Sequence, residues 1–82
     1  MTPSTDIVRS YRIFLREEPE GGYTVSVPTL PGCISYGENI AEAIVMAREA
    51  IELYIESLLA HGEEVPNEAG TLEYTITVPV HA

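Results

Sequence analysis

Between Asn39 and Gly62 apolar side chains return every three or four residues. Ile40, Ala43, Ile44, Ala47, Ile51, Tyr54, Ile55 and Leu58 form one stripe, the period of an amphipathic helix. The ends are equally legible. Asn39 can cap the free N–H groups, and Glu42, three residues on, can answer it as in a capping box. Gly62 marks the end, with His61 in the last turn. A chain of 82 residues with one such helix must find the rest of its core in a sheet, and one helix covers only one sheet face.

The remaining segments alternate with the period of half-buried strands. From Val8 to Glu17, Tyr11, Ile13 and Leu15 fall on one side and Arg12, Phe14 and Arg16 on the other. Pro19, Gly21 and Gly22 then favour a reversal, and Tyr23 to Val27 alternates again until Pro28, so the two strands pair as a hairpin. Leu30-Pro31-Gly32-Cys33 reads as a rigid corner before a short strand over Cys33 to Tyr36. Beyond the helix, Leu72, Tyr74, Ile76 and Val78 alternate with Glu73, Thr75 and Thr77 up to Pro79, which predicts a fourth strand. The expectation is a single α+β domain over residues 1–82. Its small, mostly antiparallel sheet follows the order β-β-β-α-β, with one long amphipathic helix packed on one face.

Charge narrows the function. Thirteen acidic residues against four arginines and no lysine give a net charge of −9, the wrong sign for neutralising phosphates or anionic lipid, so no direct nucleic-acid partner is expected. The longest unbroken apolar stretch, Ala43 to Ala47, is five residues, far short of the roughly 20 a membrane-spanning helix needs. The opening MTPSTD has neither the basic start nor the apolar run of a secretory signal, which makes the cytoplasm the default location. Cys33, the one cysteine, has no basic group near it in sequence and reads as a small buried hydrophobe rather than a nucleophile. Cys33, His61 and His81 are too widely spread for a metal site, and the glycines do not form a phosphate loop. No catalysis, metal or cofactor is expected.

Two surfaces remain as candidates. Glu42, Glu49, Glu52 and Glu56 lie opposite the apolar stripe, with Val45 inside the acidic sector and Met46 on its border. From the residues alone this side reads equally as a solvated face or as a partner surface. On the first strand, Phe14 points away from the helix with no second helix to cover it. That predicts a dimer or a dimer of dimers, formed through Phe14 or through the fourth strand.

The order of signals, Gly22-Tyr23, Pro28, Leu30-Pro31-Gly32-Cys33, Gly37, Asn39, Glu42-Ala43 and a helix ending at Gly62, resembles the HicB-like antitoxin family. The similarity runs from about Arg12 to Pro66. It implies a partial ribonuclease-H-like fold that inhibits a small basic HicA-like toxin which cleaves RNA. It implies no nuclease activity, since the predicted strands hold only Glu73 of the several carboxylates that bind metal in a ribonuclease-H site. Many family members continue into a DNA-binding segment, whereas this sequence ends at Ala82 after a strand, so no DNA-binding extension is expected. The motif residues themselves read as structural: Gly32 and Gly37 for turns, Pro31 for the corner, Asn39 and Glu42 for the cap. The leading reading is a non-catalytic module that masks the toxin's RNA-binding surface, using Glu42, Val45, Met46, Glu49, Glu52 and Glu56. The rival is a stand-alone homo-oligomeric scaffold or small-ligand domain with no toxin partner.

Overall fold

A computed structural model describes residues 8–81. Three antiparallel strands, β1 (Phe14–Glu17), β2 (Tyr23–Ser26) and β3 (Ile34–Gly37), form a sheet in the order β1-β2-β3, followed by one helix, α1 (Ile40–Ala60). The hairpin turn closes through Glu18 N–H to Gly22 O and Gly21 N–H to Glu18 O, both 2.9 Å. It sets Leu15 opposite Val25 and Arg16 opposite Thr24. β2 in turn sets Thr24 opposite Tyr36 and Ser26 opposite Ile34. Because side chains alternate across a sheet, Val25 and Leu15 face the helix while Phe14, Arg16, Ile34 and Tyr36 share the open face.

The corner between β2 and β3 is tied by backbone bonds. Leu30 N–H reaches Val27 O at 3.0 Å, Cys33 N–H reaches Leu30 O at 2.9 Å, and Val27 N–H reaches Cys33 O at 3.1 Å. Gly32 supplies the positive φ, and the Tyr54 hydroxyl of α1 donates to Pro31 O at 2.8 Å. Leu30 and Cys33 are thereby buried with Val27, against Tyr11, Ile51 and Tyr54. A second cluster joins Val25 to Ala43 and Ala47, flanked by Ile13, Leu15 and Tyr23. The helix therefore sits on the sheet through alanines. Gly37, in β3, makes that approach possible, since a Cβ there would lie 2.3 Å from Ala43 N. Its φ is not positive, so Gly37 serves close contact rather than a turn, a correction to the sequence-based expectation.

Both helix ends are capped, with Glu42 reaching the N–H before Asn39 rather than that of Asn39 itself. Glu42 N–H donates to Asn39 Oδ1, and the Glu42 carboxylate accepts from Glu38 N–H, each at 2.8 Å. At the other end Gly62 N–H bonds Leu59 O and Glu63 N–H bonds Leu58 O, with Gly62 at φ +69°, a complete Schellman closure.

Three expectations are corrected at the margins. β1 begins at Phe14 rather than Val8. Continuing its register would place Arg12 opposite Pro28, which has no N–H to give, and the chain turns there. The expected strand over Leu72–Val78 pairs with nothing among the described residues. Its alternation is real, but it forms no ladder with β1, although Leu72 and Tyr74 lie near Phe14. Within the helix stripe, Ile40 and Ile44 are exposed while Ala43 and Ala47 are buried, because the line that meets Gly37 must be the line of smallest side chains.

Candidate partner-binding site

Glu49, Glu52 and Glu56 are exposed on the outer side of α1, where helical spacing stacks residues three and four apart into one patch. Val45 and Met46 lie with them at 57% and 40% exposure. Leu53, one position from Glu52 and four from Glu49, is 66% exposed. The sequence reading missed Leu53. Its signal was available, since it stands seven residues after Met46 and outside the buried stripe. Glu42 belongs to the predicted set but is engaged otherwise, accepting from Glu38 N–H, so its carboxylate serves the cap. Met46 and Leu53, seven residues apart, thus form a short apolar strip along one line of the helix, and Val45 stands apart from it across Glu49 and Glu56. A surface of this composition can desolvate against apolar side chains while its rim attracts cations.

The open sheet face is the second predicted surface. Phe14, Ser26 and Ile34 form one cross-strand row, Arg16, Thr24 and Tyr36 the next. Phe14, Ile34 and Tyr36 are all exposed, and Tyr36 is anchored by its hydroxyl to Gly21 O at 3.1 Å while its ring covers Gly22. Desolvation, and then the carboxylates of Glu38, Glu42, Glu18 and Glu20, push the Tyr36 hydroxyl up.

Other predicted motif residues prove architectural. Tyr23 flanks the core, Pro28 stands two residues past the end of β2, and Leu30 is fully buried. Cys33 is buried and free, and desolvation pushes its thiol pKa up, which disfavours the nucleophilic thiolate. Among the described residues no three His, Cys, Asp or Glu side chains gather as they would to hold a metal ion. No described helix is long and apolar enough to cross a membrane.

A polar clasp was invisible in the sequence. Glu68 accepts from Arg12 N–H and from the Thr29 hydroxyl, both at 2.9 Å. Its other oxygen lies 3.4 Å from Arg12 Nε, and Glu73 approaches the same nitrogen at 3.7 Å. The Arg12 guanidinium also donates to Thr71 O. The bond from Arg12 N–H, with help from Thr29 and the Arg12 charge and against partial desolvation, holds the Glu68 carboxyl below its usual range. Nothing local marks Glu68, one carboxylate among many and 56 residues from Arg12.

The comparisons with known proteins agree on one family. The chain matches, over residues 11–82, the family model described as the HicB-like antitoxin of a bacterial toxin-antitoxin system. It is similar to a UPF0150 protein of Synechocystis sp., 46% identical over 68 residues that cover 83% of this chain and 86% of that one. It is similar also to the antitoxin HicB of Escherichia coli, 31% identical over 72 residues, 85% of this chain and 52% of that protein. The N-terminal domain of the Burkholderia pseudomallei antitoxin HicB superposes with a TM-score of 0.60 at 36% identity, covering 80% of this chain and 69% of that one.

Proposed function

Since the chain belongs to the HicB-like antitoxin family, we propose that it is a non-catalytic antitoxin that binds a small basic HicA-like toxin and masks the surface that toxin offers to RNA. The observation that carries this reading is the short strip of Met46 and Leu53, exposed on α1 beside Glu49, Glu52 and Glu56, with Val45 exposed on their far side. Carboxylates in this arrangement take the place that RNA phosphates would occupy on a basic toxin. The apolar strip supplies the desolvated centre that charge alone lacks. The net charge of −9 further speeds encounter with a cationic partner at low ionic strength.

The test replaces Glu49, Glu52 and Glu56 together by Gln. The expected result is an association rate with the toxin at least about tenfold slower at low salt, a flatter dependence on ionic strength, and weaker rescue of growth. A folded triple variant that associates as fast as the parent would place toxin binding elsewhere. Leu53→Asp is the companion variant, expected to speed dissociation rather than slow association.

A further inference from the structure

The segment 71–80 carries Leu72, Tyr74, Ile76, Val78 and Val80 at 64–90% exposure, with Glu73 its one charged residue. So long an apolar alternation left in water is a strand without a sheet, and isolated edges or strands of this kind pair with another chain. The fold also holds the complementary feature. The outer edge of β1 has no partner strand among the described residues. Beside the segment that leads into β1, on the helix side, a groove of about 720 Å3 opens between Tyr11 and Ile13 and the helix residues Ile44, Ala47, Ile51 and Ile55.

We propose that residues 74–80 of one copy, beyond the residues held by Arg12, add as a fourth strand along β1 and the segment leading into it in a second copy, seating their apolar side chains in the groove beside Ile44 and Ile51, and that the exchange is reciprocal across a two-fold axis. Period two carries the argument: Tyr74, Ile76, Val78 and Val80 fall on one side of a strand and Thr75 and Thr77 on the other. A strand added to β1 therefore fills the groove with one side and leaves its threonines toward the open face.

The occupant is a second copy for two reasons. First, the root of the segment is held on the wrong side for its own groove. The Arg12 guanidinium binds Thr71 O and lies near the Glu68 and Glu73 carboxylates. Leu72 and Tyr74 consequently lie near Phe14 and Pro28, on the open-face side of β1, so entering the chain's own groove would break the clasp. Entering that of another copy leaves it intact.

Second, charge selects against a basic toxin here. The four arginines of the chain are Arg9, Arg12, Arg16 and Arg48. Arg9 and Arg48 line the groove together with Glu52, and Arg12 and Arg16 flank or lie in β1. With Arg12 already paired to Glu68 and Glu73, Arg9 and Arg48 still outnumber Glu52 in the groove, which suits an uncharged strand better than a cationic partner. Reciprocity places eight large apolar side chains and two new ladders in one interface, on the scale of the about 1,200–2,000 Å2 that stable dimers bury. Pro79 is compatible, since the added strand is itself an edge.

Sedimentation of the full chain together with isotope-filtered NMR on a mixture of labelled and unlabelled copies tests the exchange. The expected result is a dimer with intermolecular contacts from Tyr74 and Ile76 to Ile13, Ile44 or Ile51. Ile76→Asp should weaken the dimer by about 100-fold or more while leaving the circular dichroism of the helix intact, and Ile44→Asp should do the same from the groove side. A monomer at micromolar concentration overturns the proposal. So does a dimer indifferent to both substitutions, or a tail whose contacts are all within one chain. Toxin binding by the outer helix face is read out separately, so either idea can fail alone.

Discussion

Glu68 shows how one side chain can organise a surface without any local signal. Its carboxylate gathers Arg12 and Thr29, and so fixes where the chain departs toward residues 71–80. Because these partners lower its pKa in the folded state, the carboxylate binds protons less readily folded than unfolded. Its stabilising contribution is complete above the ordinary value of 4.5 and is lost as pH falls through the lower folded value. Urea midpoints should therefore separate the parent from Glu68→Gln at about pH 7, with the parent more stable, and the gap should narrow below about pH 4. A gap independent of pH would mean that shape rather than charge holds the clasp.

At the scale of elements, the contact of α1 with β3 shows that spacing alone does not say which part of an apolar stripe packs hardest. Ala43 and Ala47 are buried and Ile44 is not, because Gly37 lets the helix backbone come within a distance that only small side chains tolerate. Gly37→Ala should cost about 2–3 kcal/mol by chemical denaturation, since the new methyl would meet backbone of Glu42 and Ala43 rather than a yielding side-chain tip. The helix ends, in contrast, were readable: Asn39, Glu42 and Gly62 act within a few residues of where they stand.

For the whole molecule, the buried apolar set is small, with Leu30 and Val25 its largest fully buried side chains, while Phe14, Ile34, Ile44, Leu53 and the 71–80 segment stay exposed. Small domains bury a modest fraction of their surface and often complete their cores by association. If strand exchange supplies that completion, stability depends on concentration. The thermal midpoint of the parent should rise about 3–5 °C for each tenfold increase in protein, and that of Ile76→Asp should not move.

The sequence by itself determined what depends on neighbours along the chain. The helix over Ile40–Ala60 and its caps, the hairpin through Gly21 and Gly22, the Leu30 to Cys33 corner and the outward acidic side of the helix all follow from side-chain period and turn chemistry. The same period showed that Leu72 to Val78 has an apolar side to cover, without saying which edge covers it. Only the tertiary structure decided that β1 stops short at Phe14, that Gly37 receives the helix backbone, that Glu68 closes on Arg12, and that the last apolar segment lies outside the sheet. Each of these is a contact between residues brought together by the path of the chain. Local pattern states what a residue needs, and the three-dimensional path settles what it meets.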